Sequence, residues 1–543
     1  MKENSLYSGA LSQVGDGIFQ KRFDIIYNLI LAAVWSIAYN SVLLVLVVVP
    51  YTCKIPARSQ NISVYDWKLK HIPLENITGT QRLSRCLMYE NQGGNNITKA
   101  CNSYEYDTTW YSSTIPADND WVCDKEIYVA NVIAYSRMGE IAGSLFFGWF
   151  GDVYGRRLTY ILSLILFMTG RIISLMTSKY IVLFTFGCII SCFPSTSAVQ
   201  STALISIEIS SPQHRSKMAK LRFVANSFGL CMMPFLYWLL RDWKQFFILS
   251  TAIIIPYLLY SRKMIESPQW LWVSKRTTKC LKQLRQIANI NNTELISEIE
   301  EEMLRQQYST KSENYSPLIL FSGWRLAINT ILQLLIWICV SVSYTVNLLR
   351  SGEKNDGNPF LEFAWQSLAE IPGYFAAAWL ADRIGRRYTG FYSSIFTGVI
   401  WIFLSFYEIS SLTWISSGTV TTCLVILNKL SLTVTFYVIN LFNMELYPTS
   451  IRQSGMSLGN LISGGGNALA PYVMYLGRRY DARLPGVILI VASLTSAICT
   501  FCLPETLNVR LPETLEEAQN FGNRKTRHTR DKETEEERDE KEV

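Results

Sequence analysis

The sequence predicts an all-α membrane protein, with twelve transmembrane helices in two six-helix pseudo-symmetric halves. Three observations lead there. Twelve long apolar stretches recur along the chain, and basic residues gather in the short loops beside them. The second six stretches also repeat the charged landmarks of the first at a nearly constant offset.

Of the 543 residues, 49% are hydrophobic and 17% charged, a balance that a soluble multidomain protein could share. The distribution argues against one, because the apolar residues come in blocks instead of amphipathic stripes. Ile25–Val49 contains no charge, and a helix of about 20 residues crosses the roughly 30 Å hydrocarbon core. Further stretches of this kind occupy 127–150, 158–177, 180–207, 220–240, 244–261, 325–349, 360–381, 388–407, 413–443, 454–476 and 484–503. Two are marginal: Phe246–Tyr260 is short, and Ser411–Leu446 is long with Lys429 inside it. The first stretch is too long for the apolar core of a signal peptide, and no small-residue cleavage site follows it before Pro50.

The net charge of +7 does not indicate nucleic acid, since the basic residues sit beside the spans and form no single patch. They follow the excess of Lys and Arg in cytoplasmic loops. The loops after spans 2, 4 and 8 carry Arg156, Arg157, His214, Arg215, Lys217, Lys220, Arg383, Arg386 and Arg387. These loops are assigned to the cytosol, and twelve spans then put both termini there, in a multi-pass protein of the plasma membrane. Arg478, Arg479 and Arg483 oppose the rule on the outer side, with Asp481 alone beside them.

The expected organisation is a cytosolic N-terminus (1–24), a first bundle (25–261) with an extracellular loop at 50–126, and a cytosolic helical linker (262–324). A second bundle (325–503) and a cytosolic disordered tail (504–543) complete it. The extracellular loop holds Cys53, Cys86, Cys101 and Cys123 and three Asn-x-Ser/Thr glycosylation sequons, at Asn61, Asn76 and Asn96. Four cysteines on an oxidising face read as two disulfides, with three connectivities open. Asn291 and Asn314 also match the sequon but fall in the linker. There TTKCLKQLRQIA and TELISEIEEEMLRQQ have helical periodicity and mixed charge. From Glu513 the tail is charged low-complexity sequence with little to bury.

The repeat organises the rest. Span 2 ends in GWFGDVYGRR (148–157) and span 8 in AWLADRIGRR (378–387). Glu208 is followed by Arg215 as Glu445 is by Arg452, and Glu266-Ser-Pro answers Pro504-Glu505-Thr. The offsets are 230, 237 and 239 residues. Three matches in register read as a duplicated six-span unit, the parallel repeat of the major facilitator superfamily. Asp152 and Asp382 end helices beside Gly155 and Gly385, in turns where a Cβ would crowd the neighbour. Arg156, Arg157, Arg386 and Arg387 can bond Glu208, Glu266, Glu445 and Glu505 bidentately. The expectation is a cytosolic gate whose bonds hold the halves together and release as the carrier rocks.

Several stretches then resemble one family, the organic cation, organic anion and carnitine transporters (solute carrier family 22), over almost the whole chain. They are Phe19-Gln20, the cysteine loop with Tyr106-Asp107, Thr114-Ile115 and Trp121-Val122-Cys123-Asp124, then GDVYGRR, ESPQWL (266–271), EIPGYF (370–375), ELYPTSIR (445–452) and LPET (503–506). Sugar porters share some of these motifs, but span 7, ILQLLIWICVSVSYTVN, lacks their QQxSG-type sequence.

Charges inside the bilayer are costly and point to function. Glu370 lies twelve residues before Asp382, about 18 Å along a helix, and matches the acidic span-8 position of the family's cation carriers. Lys429, sixteen residues before Glu445, matches a basic position of its tenth span. The two could pair, or form the poles of a cavity for zwitterions. Trp337 and Tyr344 share a face of span 7 and match the family's cavity aromatics, with Tyr437 and Asn440 as neighbours on span 10. An organic cation over such a ring gains about 0.5–2 kcal/mol. Arg137 and Glu140 are expected to pair with each other. Gly464 stands where the family has an acidic residue (cation carriers) or an arginine (anion and carnitine carriers), and Thr196 replaces its span-4 lysine.

The resemblance and Glu370 together imply a carrier of small organic ions, leaning to cations or zwitterions, driven by the membrane potential through alternating access. An organic anion exchanger, or a receptor or scaffold on a carrier fold, are the alternatives. Nearly every paired gating position is filled, which disfavours the latter. No metal cluster, nucleophilic triad or phosphate loop is visible, so neither an enzyme nor a cofactor is expected. The implied partners are a small organic ion and the lipid bilayer, not nucleic acid; oligomeric state is unassigned.

Overall fold

The computed structural model describes residues 2–56, 63–77, 80–90, 98–210, 212–293, 297–305, 317–352, 358–409, 418–447, 452–481, 483–507 and 515–520. Among them, twelve long helical segments stand where the apolar stretches predict them. The first six are α1 (Ile18–Val45), α2 (Ile127–Tyr154), α3 (Arg156–Met176), α4 (Ile181–Glu208), α5 (Pro212–Leu240) and α6 (Trp243–Lys263). The second six are α7 (Trp324–Gly352), α8 (Pro359–Ile384), α9 (Arg386–Ile409), α10 (Gly418–Glu445), α11 (Arg452–Arg479) and α12 (Leu484–Cys502).

Nine of these, among the described residues, are long and apolar enough to cross a membrane by length and composition. The other three are α2, α8 and α11. Their sequences explain it: α2 carries Arg137, Glu140 and Asp152, α8 carries Glu362, Glu370 and Asp382, and α11 holds the stretch SGGGN. Charges lower the hydropathy of a span, and those inside it are tolerated where the protein, not lipid, supplies their partners.

Local departures follow the sequence. α1 begins seven residues ahead of the predicted span and includes a π-helical turn, Asp24–Ile30. Asp24 is buried in it and accepts hydrogen bonds from Asn28 Nδ2 (2.7 Å) and Ser206 Oγ (2.5 Å). α4 breaks between Cys192 and Ser197 around Pro194, whose ring cannot continue the hydrogen-bond ladder. α6 breaks after Ala252, just before Pro256.

By contact the chain divides into two compact units. One comprises Met1–Arg305, Val346–Leu368 and Ala468–Pro485; the other comprises Gln306–Thr345, Ala369–Asn467 and Gly486–Val543. The division departs from the sequence halves because one end of α7, α8 and α11 packs with the first half. Within the first unit Phe360 packs at a tilt against Tyr111 and edge-on to Tyr237, with ring centroids 4.9 and 5.7 Å apart. There too Tyr472 donates to Asn131 Oδ1 at 3.0 Å, and Arg478 pairs with Glu126.

Among the described residues, the loop between α1 and α2 forms three two-stranded antiparallel sheets, including Tyr51–Cys53 against Tyr104–Tyr106. Its disulfides join Cys53 to Cys101 and Cys86 to Cys123, one of the three connectivities the sequence left open. Asn76 falls in the strand Leu74–Ile77. The sequons at Asn61, Asn96 and Asn314 lie outside the described residues.

In the linker, helices Thr277–Asn291 and Ser297–Arg305 match the two periodic segments. They pack with the N-terminal helix Lys2–Val14 around Tyr7, Leu284 and Met303. The tail differs from expectation at one place. Leu515–Asn520 is helical, and Ala518 is buried against Leu320, Leu326 and Tyr447. Leu515 and Ala518 are three residues apart and share a helix face, an apolar pair hidden among the charges. The low-complexity residues after Asn520 lie outside the described set.

Candidate functional site

Each unit contains one copy of the predicted charge code, and the two copies have the same construction. In the first unit the chain leaves α2 through Gly155 at φ +106° and starts α3 at once. The opening N–H groups of a helix have no partner within it. Here the Glu266 carboxylate supplies one, accepting from Arg156 N at 2.8 Å and Arg157 N at 3.1 Å. The Arg156 side chain pairs with Asp152 (3.1 Å) and lies 3.8 Å from Glu208, while Ser267 donates its hydroxyl to Glu208. Trp270 Nε1 donates to the Asp152 carbonyl at 2.8 Å.

In the second unit Gly385 has φ +100° and Glu505 accepts from Arg386 N (2.9 Å) and Arg387 N (3.1 Å). Arg386 pairs with Asp382 (3.4 Å) and Glu445 (3.3 Å), and Thr506 donates to Glu445 at 2.5 Å. Every partner in this set belongs to the unit that contributes the arginine. These bonds brace each half across its own helix ends. Arg215 and Arg452 fall near the starts of α5 and α11, and their side chains lie outside the described residues.

The predicted substrate residues divide. Glu370 on α8 and Lys429 on α10 do pair, Nζ to Oε1 at 2.9 Å, and both side chains are sealed at 1% and 0% exposure. The Tyr344 hydroxyl on α7 donates to the same Glu370 oxygen at 2.6 Å. The lysine ammonium also lies 3.2 Å from the centre of the Tyr344 ring. Trp337 is buried one face-repeat away on α7, and both aromatics meet Phe436, with centroids at 5.6 and 6.3 Å. Phe436 was not expected; its signal was the seven-residue spacing from Lys429, which puts both on one face of α10.

Tyr437 and Asn440 do not join this group. Tyr437 lies in the field of Asp382, Arg386 and Glu445, because eight residues carry it about 12 Å along α10 from Lys429. Asn440 Nδ2 donates to Phe436 O of its own helix at 2.8 Å. Around Gly464, α11 meets α7 through neutral bonds, Ser341 to Ser463 at 2.6 Å and Thr345 to Asn467 at 2.8 Å.

The first unit holds a counterpart of the buried triad. Glu140 precedes Glu370 by the same 230 residues that separate Asp152 from Asp382. Arg137 Nη1 pairs with Glu140 Oε2 at 2.8 Å, as expected, and donates to Tyr39 OH at 3.2 Å, its guanidinium 5.4 Å from that ring's centre. Ser195 at the α4 break donates to Glu140 Oε1 at 3.2 Å. Tyr39 and Tyr344 both lie on the first helix of their half.

Two six-helix sets with matched charge networks at their ends and charged triads in their spans are the features of a membrane transporter of the major facilitator fold. The family model described as Sugar (and other) transporter matches residues 82–518. Among similar proteins, the carcinine transporter of Drosophila melanogaster is 29% identical over 436 residues, 78% of this chain; the chain spans 63% of that protein's length. The organic cation transporter protein of the same fly is 26% identical over 95% of each chain. Solute carrier family 22 member 1 of Bos taurus is 26% identical over 94% of this chain and 92% of that one. The inward open xylose transporter XylE from E. coli shares the fold, with a TM-score of 0.56 at 15% identity over 76% of this chain and 93% of that one. The chain belongs to the sugar (and other) transporter family and, within it, to the organic cation, anion and carnitine transporters, solute carrier family 22.

Proposed function

We propose that this chain moves small organic cations or zwitterions across the plasma membrane by alternating access, as a facilitative carrier driven by the membrane potential. The observation that carries this reading is Glu370 with Tyr344, a carboxylate and an aromatic face held together inside the span. Such a pair receives an ammonium group with little demand on the rest of the molecule. Relatives named for carcinine, beta-alanine and organic cations support the class, since the first two compounds carry an amino group. A potential of 100 mV supplies about 2.3 kcal/mol per charge, enough to accumulate a monovalent cation without a coupled ion.

In this reading the Arg156 and Arg386 ends, the linker 262–324 and both termini face the cytosol, with loop 50–126 outside. The two bundles, 25–261 and 325–503, rock about a central site, and the braced helix ends move as rigid bodies. Trp337 and Tyr344 offer aromatic faces to the substrate. The test is uptake of labelled cations, zwitterions and anions by cells expressing wild type or Glu370→Gln at matched surface levels. Cation uptake should exceed anion uptake and fall at least tenfold in the variant; unchanged uptake removes the assignment.

A further inference from the structure

We propose that Lys429 is a built-in occupant of the cation site: its ammonium fills the Glu370–Tyr344 cage while the carrier is empty, and a substrate ammonium replaces it during transport. This rests on the reading of Glu370 as a substrate contact.

The geometry is that of a bound ligand. The ammonium sits 2.9 Å from the Glu370 oxygen and 3.2 Å from the Tyr344 ring centre, and the tyrosine hydroxyl steadies the same oxygen. A carboxylate combined with an aromatic face is how proteins recognise free ammonium compounds. Lys429 presents that group on a tether.

The repeat gives a second, independent observation. Tyr39 and Glu140 form the matching cage in the first half, and a chain cation fills it too. The cation comes from a different helix, however. Arg137 lies on α2 itself, three residues before Glu140. Lys429 comes from α10, 237 residues after Cys192, as Glu445 comes after Glu208. The tyrosine–glutamate pair has kept its place in both halves while the helix supplying the cation has changed. Filling the cage is the common feature.

The consequence concerns the empty carrier. A buried carboxylate without a counter-charge is costly in the span. With Lys429 in the cage, the carrier can turn over unloaded; with a substrate in it, the carrier can turn over loaded. The ligand class follows: compounds whose ammonium group is small enough to stand where Nζ stands. A zwitterion gains a second contact, because the displaced lysine can meet its carboxylate.

The experiment compares net uptake with exchange in wild type, Lys429→Met and Glu370→Gln at equal surface amounts. The probes are labelled methylammonium, carcinine and β-alanine, and those taken up by wild type serve for the variants. Lys429→Met should lower net uptake into unloaded cells at least tenfold. Exchange of the two cationic probes against cells preloaded with the same unlabelled compound should stay within threefold of wild type, while exchange of β-alanine, which loses the lysine contact to its carboxylate, should fall further. Equal loss of both, or no change in either, overturns the proposal. Glu370→Gln should lose both modes; if it keeps them, the assignment of Glu370 fails instead. A wild type that takes up none of the three overturns the proposed function and this inference with it. Should Lys429→Met fail to reach the surface, acetylation of Lys429 by acetic anhydride in purified wild type decides. Saturating probe should raise the modification at least threefold, whereas unchanged or reduced modification overturns the displacement.

Discussion

Arg478, next to the last residue of α11, forms an ion pair with Glu126, the residue that leads into α2. The pair explains the arginine cluster that runs against the charge rule for loops. Arg478 has Glu126, and Arg479 lies 3.1 Å from Asp124. Acids from a distant stretch of sequence balance bases that look unopposed within their own loop. The Arg479–Asp124 pair is far more exposed, at 47% and 88%, than Arg478–Glu126, at 21% and 12%. Exposed pairs contribute about 0–1 kcal/mol, so the two sites should behave differently. Arg478→Glu is expected to cut uptake at least threefold, and Glu126→Arg on the same chain to restore at least half of it. Asp124→Asn should change uptake by less than twofold. Initial rates at matched surface expression decide.

Gly155 and Gly385 are expected to resist substitution for two reasons at once. Both have positive φ, and a Cβ at either would run into the carboxylate of Glu266 or Glu505. Alanine at either position should reduce surface protein below one third of wild type, measured by biotinylation. Gly148, whose Cβ position is open, should accept alanine with little loss and serves as the control.

Removing a helix-capping carboxylate leaves charge-assisted hydrogen bonds unmade, worth about 1.5–3 kcal/mol each at most. Glu266→Gln and Glu505→Gln should therefore each lower the melting temperature of the purified protein by several degrees. Because the two networks share no residue, the double variant should show nearly the sum of the two shifts. A double shift equal to either single one would refute that independence.

Pairing of the loop cysteines should show in a simple pattern of additivity. Cys53→Ser and Cys101→Ser should lower surface expression equally, and combining them should do no further harm. The same holds for Cys86 and Cys123. Peptide mapping without reduction should recover the two linked pairs directly.

Burial pushes the Cys280 thiol of the linker helix up to about 12. The thiolate is the reactive form, so at pH 7.5 this cysteine is held almost wholly protonated as well as covered. Maleimide should leave Cys280 unmodified in the native protein for an hour and modify it within minutes in denaturant, read by mass spectrometry. Rapid native labelling would contradict the burial.

The spans were legible because length and apolarity are properties of single stretches, and the charge networks because the chain states them twice. Glu140 shows in the sequence as half of an ion pair, and the 230-residue spacing that links Asp152 to Asp382 also marks it as the counterpart of Glu370. Tyr437 was misplaced because helix face was considered without depth. Phe436 was missed because an aromatic beside other apolar residues gives no sign of what it touches. Asp24 was assigned outside the span, since a lone acid next to an apolar stretch reads as its boundary until Ser206 and Asn28 are seen around it. The disulfide partners could not be read at all, as spacing alone does not choose among three connectivities. The tail helix escaped because two apolar residues carry little weight among so many charges.

The self-contained charge networks bear on how such a protein could be recombined. A crossover within 306–316 would transfer Glu505, Arg386 and all their partners intact to a new first half, and would leave Arg156 and Glu266 undisturbed. The same exchange would separate Arg478 from Glu126, Tyr472 from Asn131 and Phe360 from Tyr111. In a hybrid of two related carriers, incompatibility would therefore surface at long-range contacts of this kind, with Arg479–Asp124 and Phe360–Tyr237 beside them, and these are the first positions to adjust in a library of chimeras.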